Sequence, residues 1–185
     1  MIYSGKFKVT SPFGWRNLNG VRENHRGIDV VGLDNKYVCA AVPGTVGAST
    51  IITDKSNRTW EWGNYVRVDG DDGRKYYYCH LSKRLVTPGT RVRAGDRLGV
   101  EGNTGYSFGS HCHFEVRENG VSINPAPFLG VQNVVGVYEK STLEDDLNVL
   151  VQHGVINTPG YWKKNAQKLE YLPELLHNMA EVLKK

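Results

Sequence analysis

The chain is short of cysteine and proline, lacks any long apolar run, and has no cluster of basic and aromatic residues; each shortage removes a class of protein. Three cysteines in 185 residues, Cys39, Cys79 and Cys112, are too few and too scattered for a disulfide framework, which fits synthesis in a reducing compartment. No apolar stretch approaches the roughly 20 residues that a membrane helix needs, so no membrane span is expected. The opening residues MIYSGKFKV hold no apolar core of signal-peptide length, and Met1 argues against a removed leader. The expectation is therefore synthesis in the cytoplasm without a signal peptide. A hydrophobic content of 39%, with Gly 21 against Pro 7, excludes a disordered chain and points to a folded, turn-rich one. The net charge of +4 is uneven: residues 131–185 hold six Lys/Arg against seven Asp/Glu, leaving +5 on residues 1–130. Mild positive charge favours a polyanionic surface. No segment interleaves basic and aromatic residues as a nucleic-acid groove does, so nucleic acid is not expected as a partner.

What is present divides the chain in two. From Phe7 to about Leu129 the pattern is all-β, with short runs rich in Val, Tyr and Ile: Tyr37–Val42, Tyr65–Val68, Lys75–His80, Arg91–Ala94 and His111–Arg117. Gly, Asp and Asn turn signals separate them, and strands at this spacing without helical interludes predict an antiparallel β-sandwich or open barrel. Asn119-Gly120 reads as a tight hairpin turn. Residues 49–62 read as a long polar loop ending in two tryptophans. Beyond Gly136 the period changes. Ser141-Thr142-Leu143-Glu144 has capping-box form, followed by Leu143, Leu147 and Leu150 at helical spacing. Gly154 is expected to end that helix, Thr158-Pro159 to start a second, and Pro173 to precede a third. Leu172, Leu175, Leu176, Met179, Val182 and Leu183 are expected to share one face of the third. The predicted organisation is a β domain over residues 1–130, a linker near 130–138, and a small helical module within 131–185.

Four of the six histidines fall in three elements of the β region. In His111-Cys112-His113, strand parity sends both imidazoles to one side and Cys112 to the other. In His25-Arg26-Gly27-Ile28-Asp29, a Gly-containing turn lets an imidazole and a carboxylate converge, and both suit Zn²⁺. His80 ends the run Tyr76-Tyr77-Tyr78-Cys79. Each has an ordinary structural alternative: two exposed histidines on a surface strand, a turn aspartate, a core histidine after aromatics. Their concentration favours a site. His153 and His177, in the helical module, read as solvated positions.

The string Ser11-Pro12-Phe13-Gly14-Trp15-Arg16, followed by His25-x-Gly27-x-Asp29, resembles the opening of the M23 family of peptidoglycan metalloendopeptidases, which includes lysostaphin-like enzymes. The later Gly102-Asn103-Thr104-Gly105 and Ser110-His111-Cys112-His113-Phe114-Glu115-Val116 are similar to that family's second metal-site strand. Gly63-Asn64-Tyr65-Val66, Tyr78-Cys79-His80-Leu81, Gly89–Gly95 and Asn124-Pro125 follow in family order, so the resemblance covers roughly residues 7–129.

The resemblance implies that His25, Asp29 and His113 ligate Zn²⁺ and leave a fourth position to water. It implies that His80 and His111 stand beside the metal as catalytic acid–base and oxyanion groups. Cys79 and Cys112 depart from the family's more usual apolar or aromatic residues and read as small buried hydrophobes. The implied activity is hydrolysis of peptide bonds in the stem or cross-bridge of bacterial peptidoglycan. The alternatives are an inactive wall-binding or scaffold module, or an amidase at the sugar–peptide junction. Loops near residues 16–24, 49–62 and 104–110 are expected to choose the bond. The expected setting is a phage or prophage endolysin reaching the wall after holin-type release. The helical module is expected to bind the wall, dimerise or brace the β domain.

Overall fold

The computed structural model describes every residue except 19, 57–59, 140–142, 167–171 and 185, so the expected capping box at residues 141–144 lies partly outside the described residues. The structure is mostly antiparallel β with few helices, and the chain divides into two compact units, Met1–Glu139 and Lys140–Lys185. The division falls at residue 139 rather than 130. Gly136–Tyr138, within the segment expected to be a linker, pairs antiparallel with Phe7–Val9 as a sheet edge.

The first unit is built on a nine-stranded sheet. Its strands run in space Arg91–Val92, Gly44–Ile51, Asn64–Gly70, Lys75–Cys79, Cys112–Glu118, Ile28–Gly32, Phe7–Ser11 and Gly136–Tyr138. Val121–Ile123 pairs with the far end of Cys112–Glu118. Tyr37–Cys39, Arg97–Val100 and Lys83–Arg84 form a three-stranded sheet, and Gly14–Leu18 with Val21–His25 a hairpin. The core gathers alternate residues of the large sheet, among them Phe7, Val9, Ile28, Val30, Val66, Val68, Tyr76, Tyr78, Cys112, Phe114 and Val116. Val38 and Leu98 of the small sheet join the same cluster. Burying each such side chain contributes about 1.5–3 kcal/mol, enough to fix which face of every strand points inward. A one-residue slip would turn each strand inside out.

Several local expectations meet specific geometry. Glu118 and Val121 are register partners around Asn119 (φ 51°) and Gly120 (φ 81°), the two left-handed residues of a type I′ turn. The expected loop at 49–62 begins later than residue 49, because Ser49–Ile51 prolongs the strand Gly44–Ile51 by pairing with Asn64–Val66. The segment 16–24 is mostly hairpin rather than loop.

In the second unit, helices span Leu143–Gln152, Pro159–Ala166 and Leu172–Leu183. Gly154, at φ 69°, follows the first, and the Val155 amide returns to the Leu150 carbonyl at 2.8 Å, satisfying an end carbonyl. Leu147, Leu150, Leu176 and Ala180 form the small core. The expected apolar face of the last helix is split. Leu176 and Leu183 pack inward, while Leu175 and Val182 are 55% and 71% exposed, because a core this small needs only a narrow stripe. Among the described residues no helix is long and apolar enough to cross a membrane.

Candidate metal and catalytic site

Strand parity builds the site. Cys112, Phe114 and Val116 point into the core, so His113 and Glu115 take the opposite face of their strand. Ile28 and Val30 are likewise core residues, which turns Asp29 the same way, and Asp29 is the register partner of His113. His25 arrives from the end of the 14–25 hairpin. His25 Nε2 lies 3.1 Å from Asp29 Oδ1 and 3.0 Å from His113 Nδ1, which is itself 3.0 Å from that oxygen. Gly27 permits this closeness. A Cβ there would sit 2.6 Å from His113 Cε1 and Nε2 and from the Phe114 carbonyl oxygen.

Three donor atoms at these separations fit one small cation, since tetrahedral zinc at about 2.0–2.1 Å from its ligands spaces them about 3.3 Å apart. The far sides of the donors agree. His25 Nδ1 lies 2.8 Å from the Pro12 carbonyl oxygen, which can only accept, so Nδ1 carries the hydrogen and Nε2 keeps its lone pair. His113 Nε2 faces Glu115 Oε2 at 3.9 Å. Glu115 is held in turn by Arg117 Nε at 2.7 Å and by the Ser122 hydroxyl. Among the described residues, His25, Asp29 and His113 are the group able to hold a metal.

The electrostatics favour a cation. Burial opposes ionisation of Asp29, yet its contacts with His113 and His25 outweigh it and hold the carboxyl well below the usual range. Burial opposes charge on His113 too, but the hydrogen bond to Asp29 and the nearby Glu115 carboxylate raise it to about 9. Glu115, despite burial, is lowered to about 2 by the neighbouring His113 and by its hydrogen bonds with Arg117 and Ser122.

Two further imidazoles border this triangle. His111 Nε2 is 3.5 Å from Asp29 Oδ1, while its Nδ1 donates to the Gly109 carbonyl at 2.8 Å. The His80 ring lies with its centroid 4.7 Å from that of His111 and 5.8 Å from that of His113. Its Nδ1 donates to the Thr104 carbonyl at 2.8 Å. Burial first, then the neighbouring His113 and His111, lowers His80 to about 3, so the ring is neutral near pH 7. His80 also holds a left-handed backbone, φ 64°, a conformation that costs a non-glycine residue about 1–3 kcal/mol. Its amide donates to Trp62 O at 2.8 Å, and the Thr104 hydroxyl pins the adjacent loop by bridging Asn64 N at 3.0 Å and Leu81 O at 2.9 Å.

All five expected site residues therefore meet in one place. Cys112 is fully buried in the core on the other face. Cys79, the register partner of His113 and offset by one from the core residue Tyr78, is fully buried on the same face as the site. Burial pushes both thiols up. His153 is exposed, as expected. His177 is not simply solvated: its Nδ1 lies 3.1 Å from the buried Asp146 carboxylate within the helical unit. Sequence reading assigns no role to Glu115 or Arg16. For Glu115 the signal was present, because two residues beyond His113 the strand returns to the same face.

The profile of peptidase family M23 matches residues 23–125, which span the whole site. Peptidoglycan DD-endopeptidase ShyC of Vibrio cholerae is 36% identical over 121 residues, covering 64% of this chain and 26% of that protein, so the chain spans about a quarter of this relative's length. The catalytic domain of the antimicrobial peptidase lysostaphin from Staphylococcus simulans superposes with a TM-score of 0.52 at 29% identity, over 67% of this chain and 90% of that one. The catalytic domain of the prophage-encoded M23 protein EnpA from Enterococcus faecalis, crystallised as a mutant, gives 0.55 at 29% identity, over 64% and 88%. With its site strands, their register and more than half its length inside the matched region, the chain belongs to peptidase family M23.

Proposed function

We propose that the chain is a zinc-dependent endopeptidase that hydrolyses peptide bonds in the stem or cross-bridge of bacterial peptidoglycan. The observation that carries this reading is the triangle of His25 Nε2, Asp29 Oδ1 and His113 Nδ1, with sides of 3.0, 3.0 and 3.1 Å. His25, Asp29 and His113 would hold Zn²⁺, which when bound supplies a Lewis acid and a water acidified toward a pKa of about 7. The rest is done by residues of the chain. His80 and His111 each commit Nδ1–H to a carbonyl, so each turns an Nε2 lone pair toward the site. One accepts the proton of the attacking water and returns it to the leaving amine. The other, after taking a proton from solvent, donates to the developing oxyanion. The exposed Trp15, Tyr106 and Phe108 sit on the 16–24 and 104–110 segments or at their edge, and offer apolar faces for an extended peptide.

A non-catalytic scaffold would need none of this convergence, which favours the enzyme. The test is digestion of purified peptidoglycan of several wall types by the zinc-loaded protein, read by mass spectrometry. New amines within the stem or cross-bridge are expected. Freed lactyl ends would make it an amidase, and zinc binding without any product would make it a binding module. The likeness to a prophage-encoded protein supports the proposal of a phage or prophage endolysin acting after holin-type release. The exposed Tyr161, Leu175 and Val182 support a wall-binding or dimerising role for the helical unit.

A further inference from the structure

Asp29 has two carboxylate oxygens, and only one of them faces the imidazoles. The other, Oδ2, lies 3.3 Å from Arg16 Nη1. Arg16 stands opposite Glu23 in the 14–25 hairpin, whose next pair on the same face is Gly14 with His25. One face of the hairpin therefore carries a metal-site imidazole, a guanidinium and a carboxylate in a row. The guanidinium is tied down on every side. Nε and Nη2 reach Glu23 Oε1 at 2.7 and 2.6 Å, and Nη1 reaches Ser11 Oγ at 2.6 Å as well as Asp29.

We infer that Arg16 is a positioning residue that fixes Asp29 as a one-oxygen ligand and so couples the 14–25 hairpin to the metal site. This rests on the zinc reading above. A guanidinium is a planar fork, so once one edge is locked on Glu23 the direction of Nη1 is set. A carboxylate turns readily about its last torsion. Holding Oδ2 on Arg16 removes that freedom and leaves Oδ1 aimed between His25 and His113. The side chains of Arg16 and Asp29 are only 24% and 13% exposed, which limits the solvent screening that weakens surface pairs. The hairpin then acts twice on the site, directly through His25 and indirectly through Asp29.

The competing account is that Arg16 merely braces the hairpin through Glu23. Zinc affinity by chelator competition, and the visible absorption of the cobalt-substituted protein, separate the two in the full chain. Arg16→Met should weaken zinc binding about 10–100-fold and alter the cobalt bands, and Arg16→Lys should recover part of the loss. Unchanged affinity and unchanged cobalt bands in Arg16→Met overturn the inference, whatever happens to the melting temperature. Should Arg16→Met fail to fold, Glu23→Gln and Ser11→Ala each remove one support of the guanidinium. Weaker zinc binding in either supports the inference, and neutrality of both overturns it. A wild-type chain that takes up no zinc overturns the functional reading and this inference together, an outcome distinct from any difference between variant and wild type.

Discussion

Asp29 and His113 are register partners on adjacent antiparallel strands, and their side chains meet with Oδ1 3.0 Å from Nδ1. The spacing of two proposed metal ligands is thus set by the pairing of two strands whose other faces are core, rather than by a loop. Such a site is held in shape by the folding energy of the sheet and does not depend on the metal to assemble it.

The division of labour follows. His113→Ala and Asp29→Ala should lose stoichiometric zinc, measured by elemental analysis of the dialysed protein. His80→Ala and His111→Ala should keep zinc and lose about 10²–10⁴-fold in peptide hydrolysis. Zinc lost from His111→Ala but kept by His113→Ala would reverse the assigned roles.

Gly27→Ala should be disproportionately damaging for one added methyl. The new Cβ would meet His113 and the Phe114 carbonyl at 2.6 Å, and the latter is backbone of a central strand that cannot move aside. Overpacking of this kind costs about 1–3 kcal/mol, and displacement of His113 should weaken zinc binding as well. A variant with unchanged melting temperature and zinc affinity would show that the strand yields freely.

Much of this was legible in the sequence because period-two alternation states which side chains share a face. His111 with His113, and the separation of Cys112 from them, follow from it directly. So does the turn at Asn119-Gly120, where two consecutive left-handed residues demand those types. What stayed hidden depends on partners distant in the chain. Ser49–Ile51 is polar enough to pass for loop and becomes strand through its pairing with Asn64–Val66. Arg16 acquires a role only when a hairpin sets it opposite Glu23 and beside Asp29. The exposure of Val182 follows from how little core the helical unit has to fill.

Glu101 should shape the acid limb of stability. Its buried carboxylate accepts from the Tyr3 hydroxyl and the Gly32 amide, each at 2.8 Å, from Lys36 Nζ at 3.0 Å, and from the Ser110 hydroxyl at 2.8 Å. Burial opposes its charge, but these bonds prevail and hold it below its ordinary value of 4.5. A folded value below the unfolded one means a contribution fully present above pH 4.5 and lost as pH falls below it. Glu101→Gln should lower stability near neutral pH by about 1–3 kcal/mol and flatten the decline of melting temperature below that point. Asp29 and Glu115 are lowered too and share this limb, so the slope should shrink without vanishing. An identical slope in the variant would remove Glu101 from the account.

Two truncations should behave differently although only nine residues separate them. Ending the chain at Glu139 keeps Gly136–Tyr138 paired with Phe7–Val9 and keeps Tyr138 stacked near Phe7, with centroids 5.9 Å apart. It also keeps Asn133, whose side chain accepts from the Phe13 amide at 2.8 Å and donates to the Phe13 carbonyl at 3.0 Å. Phe13 adjoins Pro12, the residue whose carbonyl fixes the tautomer of His25. Ending at Gly130 removes the edge strand and the Asn133 clamp together. The 1–139 protein should bind zinc and cleave a small soluble peptide like the full chain, with any loss confined to wall affinity or oligomeric state. The 1–130 protein should melt lower and bind zinc more weakly, because the segment that orients His25 has lost its tie. Equal melting temperature and zinc affinity in the two would show that the edge strand does not reach the site. A 1–139 protein that folds and holds zinc but has lost soluble-peptide turnover would instead make the helical unit part of the catalytic apparatus.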